Sequence, residues 1–122
     1  MAAKLSLMKM KMHATGNNSI PEGERVFLSV TLHESVNISL APQAIFVSDQ
    51  WTIGKLVDYV TEKLKISNNN HKNLSNKIKL FSSQSNDAFH FDAVISNLIK
   101  QELLFNGSTV ILANVLSDQN VL

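Results

Sequence analysis

The chain has 122 residues, a length typical of one domain, and its 44% hydrophobic content excludes wholesale disorder. The formal net charge is +1, from 11 Lys and Arg against 10 Asp and Glu, which excludes the strongly basic surface that nucleic acid or an anionic membrane would require. The absence of cysteine excludes disulfides, thiolate catalysis and cysteine-bearing zinc sites within these residues.

The first segment, residues 1–14, is predicted to form an amphipathic helix. Leu5, Met8 and Met12 recur at helical spacing, and three lysines interrupt what would otherwise be the apolar core of a signal peptide. A helix this short is marginal alone, so we expect it to pack on the domain or on a partner rather than on a membrane. Residues 15–24 are rich in Gly, Asn and Pro and are predicted to be a linker.

The predicted domain covers residues 25–116 and opens with a β-hairpin. Residues 25–33 alternate apolar and polar side chains, which is typical of a half-buried strand. A second extended run, residues 38–47, contains Pro42, which cannot donate to a ladder and suits a sheet edge or a bulge. The two runs are therefore predicted to pair antiparallel.

A long helix is predicted over residues 52–65. Thr52 is placed to cap it with its hydroxyl group. Its apolar stripe follows the helical period: Ile53, Leu56, Val57, Val60 and Leu64. The Asn-rich run that follows, residues 67–76, has no period and is predicted to be a mobile loop.

The C-terminal half is predicted to contain two strands, a short extra strand and an irregular helix. The strands are residues 77–81 and 108–116, the short strand lies near residues 88–92, and the helical pieces lie within 93–104. Residues 117–122 are expected to be a frayed tail. One long helix and about five strands share a core only as an α+β β-grasp, with the first and last strands parallel at its centre.

The order of these elements resembles that of ubiquitin. More specifically, LMKMKMHA at residues 7–14, the approach through Pro21 to Glu24 and Arg25, and WTIGK at residues 51–55 resemble the C-terminal half of AN1-type zinc-finger proteins that carry a ubiquitin-like domain. The resemblance covers about residues 3–116.

That resemblance implies a cytoplasmic adaptor, monomeric and without a cofactor. Members of the family bind the N-terminal domain of the hexameric AAA segregase called valosin-containing protein, and the proteasome, in the arsenite response and in clearing stress granules. Because this chain has no cysteine, it carries no zinc finger, and proteasome contacts that depend on zinc fingers are not expected of it.

The residues show no catalytic or metal-binding pattern. The four histidines (His13, His33, His71 and His90) lie far apart in sequence, and no phosphate-binding glycine loop or nucleophile elbow is present. We therefore expect neither an enzyme nor a metal site. No glycine follows Gly107, so a conjugated modifier, which needs a Gly-Gly end, is not expected. Trp51 is expected to pack at the entry to the long helix rather than to anchor a partner.

The predicted partner surface lies on the third and last strands. It comprises Arg25, Lys79, Phe81, Ile111 and Ala113. Lys79 is expected to be exposed where ubiquitin presents its central isoleucine, so helices that recognise ubiquitin should bind poorly. Two alternatives stay open. In the first, the apolar members of this surface are ordinary surface residues or are covered by the N-terminal helix. In the second, the domain as a whole is a scaffolding or intramolecular β-grasp, or a divergent ubiquitin-like carrier.

Overall fold

The computed structural model describes residues 10–66 and 76–122, which form a four-stranded mixed sheet crossed by one long helix. The elements are β1 (Arg25–Leu32), β2 (Gln43–Ser48), α1 (Ile53–Lys63), β3 (Asn76–Ser82), α2 (Ile95–Lys100) and β4 (Thr109–Leu116). The strand order is β2-β1-β4-β3, with β1 and β4 parallel and the other two pairs antiparallel. This arrangement confirms the predicted β-grasp. The predicted fifth strand is reduced to a single bridge between Phe81 and Ala88.

The hairpin of β1 and β2 is shorter than predicted. Its second strand begins at Gln43 rather than near Ile38. A 3₁₀ turn over Glu34–Val36 precedes the strand and ends at Asn37, whose φ of 63° lies in the left-handed region. Pro42 then occupies the last position before pairing begins, where its missing N–H costs no ladder hydrogen bond.

The long helix α1 lies close to its predicted position. Thr52 caps it, because its Oγ1 accepts a hydrogen bond of 3.2 Å from the Lys55 N–H. The helix ends at Lys63, and Lys65 follows with a φ of 57°. The buried face carries Ile53, Leu56, Val57, Val60 and Thr61. These side chains form the core with the inner face of the sheet.

The register of β3 with β4 places alternate side chains on opposite faces of the sheet. Lys79 pairs with Ala113, and Phe81 pairs with Ile111. The inner face carries Ile78, Leu80, Val110 and Leu112, as predicted, and all four are buried against α1. The other face, with its odd-numbered β3 and β4 residues, points away from the helix. This is the face on which the partner surface was predicted.

The segment before β1 packs on the domain instead of linking loosely to it. Most of the predicted N-terminal helix lies outside the described residues. Residues 10–13, which belong to its end, are helical. Thr15 pairs in parallel with the edge of β2. Its N–H donates a hydrogen bond of 3.1 Å to the Ala44 carbonyl, and its carbonyl accepts one of 3.0 Å from the Phe46 N–H. At Gly16 a Cβ atom would lie 2.5 Å from the Phe46 oxygen, so this approach requires glycine.

Candidate interaction surface

The outer face of β3 and β4 is apolar around Lys79, and Lys77 lies at the end of the same face, opposite Val115. We call it the β3–β4 face and define it by Lys79, Phe81, Ile111, Ala113 and Val115. Phe81 and Ala113 are fully buried and Val115 is 7% exposed, while Ile111 is half-buried. Phe81, Ala113 and Val115 form a second hydrophobic cluster, on the opposite side of the sheet from the main core. An apolar patch therefore exists where the sequence predicted it, but it is covered rather than exposed.

The cover is the C-terminal segment, residues 117–122, which we call the tail. Val121 forms an antiparallel bridge with Asp87, and the Ala88 N–H donates 2.8 Å to the Asn120 carbonyl. The Leu122 N–H donates 2.8 Å to the carbonyl of Asn86, and the Leu122 side chain packs on the apolar cluster. The prediction of a frayed tail is wrong, because the tail finds both backbone partners and an apolar contact.

Lys79 holds the other half of the tail. Its Nζ donates three hydrogen bonds, of 2.8 Å to the Ser117 carbonyl, 2.9 Å to the Gln119 carbonyl and 3.2 Å to Asn120 Oδ1. Only 6% of the residue is exposed, so the prediction that Lys79 is exposed is wrong. The physical reason is that three acceptors satisfy all three donors of the ammonium group, which makes its burial tolerable.

Replacing Lys79 with methionine should loosen the tail without disturbing the main core. Methionine keeps the length of the side chain but removes three charge-assisted hydrogen bonds, and we expect a loss of about 2 kcal/mol in the free energy that holds the tail. Hydrogen exchange at the Ala88 and Leu122 amides should accelerate, whereas exchange in α1 should not change. Lys100→Met, at an exposed position of α2, is the matched control. Unchanged protection of the Ala88 and Leu122 amides would contradict this role of Lys79.

Arg25 does not belong to the β3–β4 face. Its Nε donates 2.9 Å to the Ile20 carbonyl and its Nη2 donates 3.2 Å to that of Asn18, while its guanidinium lies 4.5 Å from the Phe46 ring centre. Thr31, the β1 residue beside Ile111, lies six positions further along the strand, which corresponds to about 20 Å. The expectation that Arg25 lies near the other surface residues is wrong. Arg25 fastens the segment before β1 instead.

A cavity of about 700 Å³ adjoins the lysine that holds the tail. Its described lining comprises Gly54, Asp58, Lys77, Lys79, Ala88, Phe89, His90, Phe91, Ser117 and Asn120. Within residues 10–66 and 76–122, no group of three or more His, Asp or Glu side chains is arranged to hold a metal ion. In the same ranges, no helix is long and apolar enough to cross a membrane. Trp51 lies at the entry to α1, as expected, with its ring 5.4 Å from that of Tyr59 and packed on the core.

Sequence reasoning missed the tail residues that complete this surface. Leu122 and Asn120 contact residues far away in the chain, and nothing local in SDQNVL marks them as partners of β3. The one available signal was chemical. Lys79 stands between two apolar residues in an alternating strand, so its ammonium group required either solvent or several acceptors.

Comparisons with known proteins agree with this architecture. Residues 46–115 match the model of the ZFAND1-like ubiquitin-like domain. The chain is 34% identical over 113 residues to AN1-type zinc finger protein 1 of Homo sapiens and 36% identical to that of Mus musculus, covering 91% of this chain and 41% of each relative. The chain thus spans less than half the length of these curated relatives.

Two solved structures share the fold at low sequence identity. ATG8 of Trypanosoma brucei superimposes with a TM-score of 0.60 and 8% identity, covering 99% of this chain and 89% of that protein. A chain of the toluene 4-monooxygenase HD complex gives a TM-score of 0.51 and 9% identity, covering 73% of this chain and 96% of that one. With the β-grasp topology and the family match together, the chain belongs to the ZFAND1-like ubiquitin-like domain family.

Proposed function

We propose that this domain is a non-catalytic adaptor that recruits the AAA segregase valosin-containing protein in stress-related protein quality control in the cytoplasm. A ubiquitin-like domain of this family suggests a protein-interaction role. The segregase is the partner implied by the resemblance to AN1-type zinc-finger proteins, and its N-terminal domain is the proposed point of contact.

The observation that carries the proposal is the second apolar cluster on the side of the sheet away from the core. A sheet in a domain of this size is stable with one face packed on a helix, and the other face is ordinarily polar. Here Phe81, Ile111 and Ala113 make that face apolar, with the ammonium group of Lys79 beside them. This combination suits a partner that offers apolar side chains together with acidic or carbonyl oxygen atoms.

The alternative function is an intramolecular or scaffolding domain with no partner on this face. One observation favours it: the two cationic groups assigned to the partner surface, Arg25 and Lys79, both donate their hydrogen bonds within the chain. A domain of that kind would use its second apolar cluster only to hold its own tail. The two functions differ in whether the chain captures the segregase.

A binding experiment with the purified N-terminal domain of the segregase tests the proposal. We expect a dissociation constant in the micromolar range, as for other small interfaces. Ile111→Asp places a charge at a half-buried position of the β3–β4 face and should weaken binding at least tenfold. Leu40→Asp makes the same kind of change at an exposed loop position, 46% exposed, and should bind like the unsubstituted chain. Absence of binding at high concentration would leave the scaffolding alternative.

A further inference from the structure

The tail binds the β3–β4 face in the way that a peptide ligand binds a protein. After a turn at Ser117 and Asp118, its last residues, 120–122, pair through their backbone with residues 86–88, which in turn bridge to β3 through Ala88 and Phe81. Its carbonyl groups at Ser117 and Gln119 accept from Lys79, and Leu122 packs on the apolar cluster. Backbone pairing combined with one apolar anchor is a recurring mode of peptide recognition.

The tail is also held by few contacts. Its backbone pairing with residues 86–88 is a single bridge, and the Val121 side chain at that bridge is 57% exposed. Leu122 is the one tail residue that packs on the apolar cluster, and it remains half-buried. A segment held by one bridge, one lysine and one leucine belongs to the less stable part of a structure, from which exchangeable elements are drawn.

We propose that the β3–β4 face is a docking groove for a short segment of a partner protein, and that the tail occupies this groove until such a segment replaces it. The identity of the partner rests on the proposed function, but the groove itself rests on the tail contacts. The tail supplies the template for the partner segment. That segment offers two main-chain carbonyls to Lys79, spaced as those of Ser117 and Gln119 are, and an aliphatic side chain at the position of Leu122.

The charge of the groove narrows the partner segment further. Asn120 Oδ1 lies 3.2 Å from Lys79 Nζ, so an amide or carboxylate oxygen fits at that position and a cationic side chain does not. We therefore assign the groove to a partner segment with an acidic or amide side chain before its aliphatic anchor. The tail of a second copy would offer the same groups, so dimerisation of the chain is one outcome that the test must separate.

A reversible crosslink between the tail and the domain tests the proposal. Asp87 and Val121 face each other between two backbone hydrogen bonds, Ala88 to Asn120 and Leu122 to Asn86. Such a non-hydrogen-bonded antiparallel pair has Cα atoms about 4.5 Å apart, within the range that a disulfide bridges. The chain has no other cysteine, so Asp87→Cys with Val121→Cys gives one defined disulfide. The reduced form of the same protein is the matched control.

The first arm measures binding of the segregase N-terminal domain to the two redox forms. We expect the oxidised form, with its tail locked in place, to bind at least tenfold more weakly than the reduced form. Equal binding by both forms would overturn the groove proposal while leaving the proposed function intact, because the partner would then use another surface.

The second arm does not depend on the segregase. A fluorescent peptide of sequence LSDQNVL should bind Leu122→Asp, whose tail lacks its anchor, at least tenfold more tightly than it binds the unsubstituted chain. Adding Lys79→Met to that variant should abolish peptide binding, whereas adding Lys100→Met should not. If the amide spectrum of Leu122→Asp shows that this variant is unfolded, Leu122→Ser takes its place.

The outcomes of the two arms separate the groove from the partner. Peptide binding without any binding of the segregase domain supports the groove and defeats the proposed function. Failure of the peptide to bind either released variant overturns the groove. Concentration-dependent dimerisation of the unsubstituted chain would show that a second copy fills the groove, which would overturn the assignment to a partner segment.

Discussion

Replacing Val60 with aspartate should unfold the domain. Val60 is 1% exposed and lies in the middle of the α1 face that packs on the sheet. An unpaired carboxylate at that position costs roughly 4 kcal/mol or more, a large part of the total stability of about 5–15 kcal/mol that a domain of this kind has. Amide dispersion and thermal unfolding followed by circular dichroism report the result.

The control for Val60→Asp is Glu62→Asp on the same helix. Glu62 is exposed, so aspartate there changes helix propensity by a few tenths of a kcal/mol and leaves the core intact. We expect that variant to melt close to the unsubstituted chain. A well-dispersed and unchanged spectrum for Val60→Asp would show that α1 does not bury this face and would contradict the fold.

Replacing Phe81 with alanine should be the next most damaging change. Phe81 is fully buried in the second cluster, between the strand and the tail. Such truncations cost about 3–5 kcal/mol, and we expect about 3 kcal/mol here because the tail can partly collapse into the space. The midpoint of thermal unfolding should fall by roughly 10 °C. The amides of Ala88 and Leu122, which hold the tail in place, should lose their protection at the same time.

Two further variants show whether the loss of stability comes from removing buried apolar volume. Phe81→Leu keeps most of the apolar volume and should cost less than about 1.5 kcal/mol. Phe105→Ala removes a phenylalanine that is 45% exposed and should change the stability little. If Phe81→Ala melted like Phe105→Ala, the second cluster would not be a packed element of this fold, and the tail would have no apolar site to cover.

The elements that sequence reasoning predicted correctly are those in which one short pattern determines the result. In β1 the alternation through Val26, Leu28 and Val30 needs only a two-residue period, and these three side chains are buried, whereas Leu32, predicted on the same side, is half-buried. In α1 the cap at Thr52 and the stripe that follows it are equally local. The parallel pairing of β1 with β4 followed from the order of the elements, because few topologies bury one helix on such a sheet.

The surroundings of the predicted surface depend on residues far away in the sequence, so no short pattern determines them. The strand pattern correctly placed Lys79 and Phe81 on the outer face, but whether that face is open depends on the tail. The Lys79 acceptors, Ser117 among them, lie 38 to 41 positions further along the chain. The predicted position of Arg25 was wrong for a related reason. Its hydrogen bonds run to a segment whose composition predicted only a linker.

The start of the second strand shows how two residues shift a boundary. Periodicity over residues 38–47 favoured one long run, and the structure begins pairing at Gln43. Asn37 in the left-handed region and Pro42 before the first ladder residue each interrupt an extended backbone, and their combined effect outweighs the apolar pattern.

Titration of the isotope-labelled chain with the segregase N-terminal domain tests the central claim most directly. We predict that amide shifts begin on β3 and β4, at Phe81 and Ile111 in particular, and that the tail amides lose their hydrogen-bonded positions in parallel with binding. Shifts confined to the exposed face of α1, or shifts on β3 and β4 while the tail stays in place, would contradict the claim that this face is a partner site covered by the chain's own C-terminal segment.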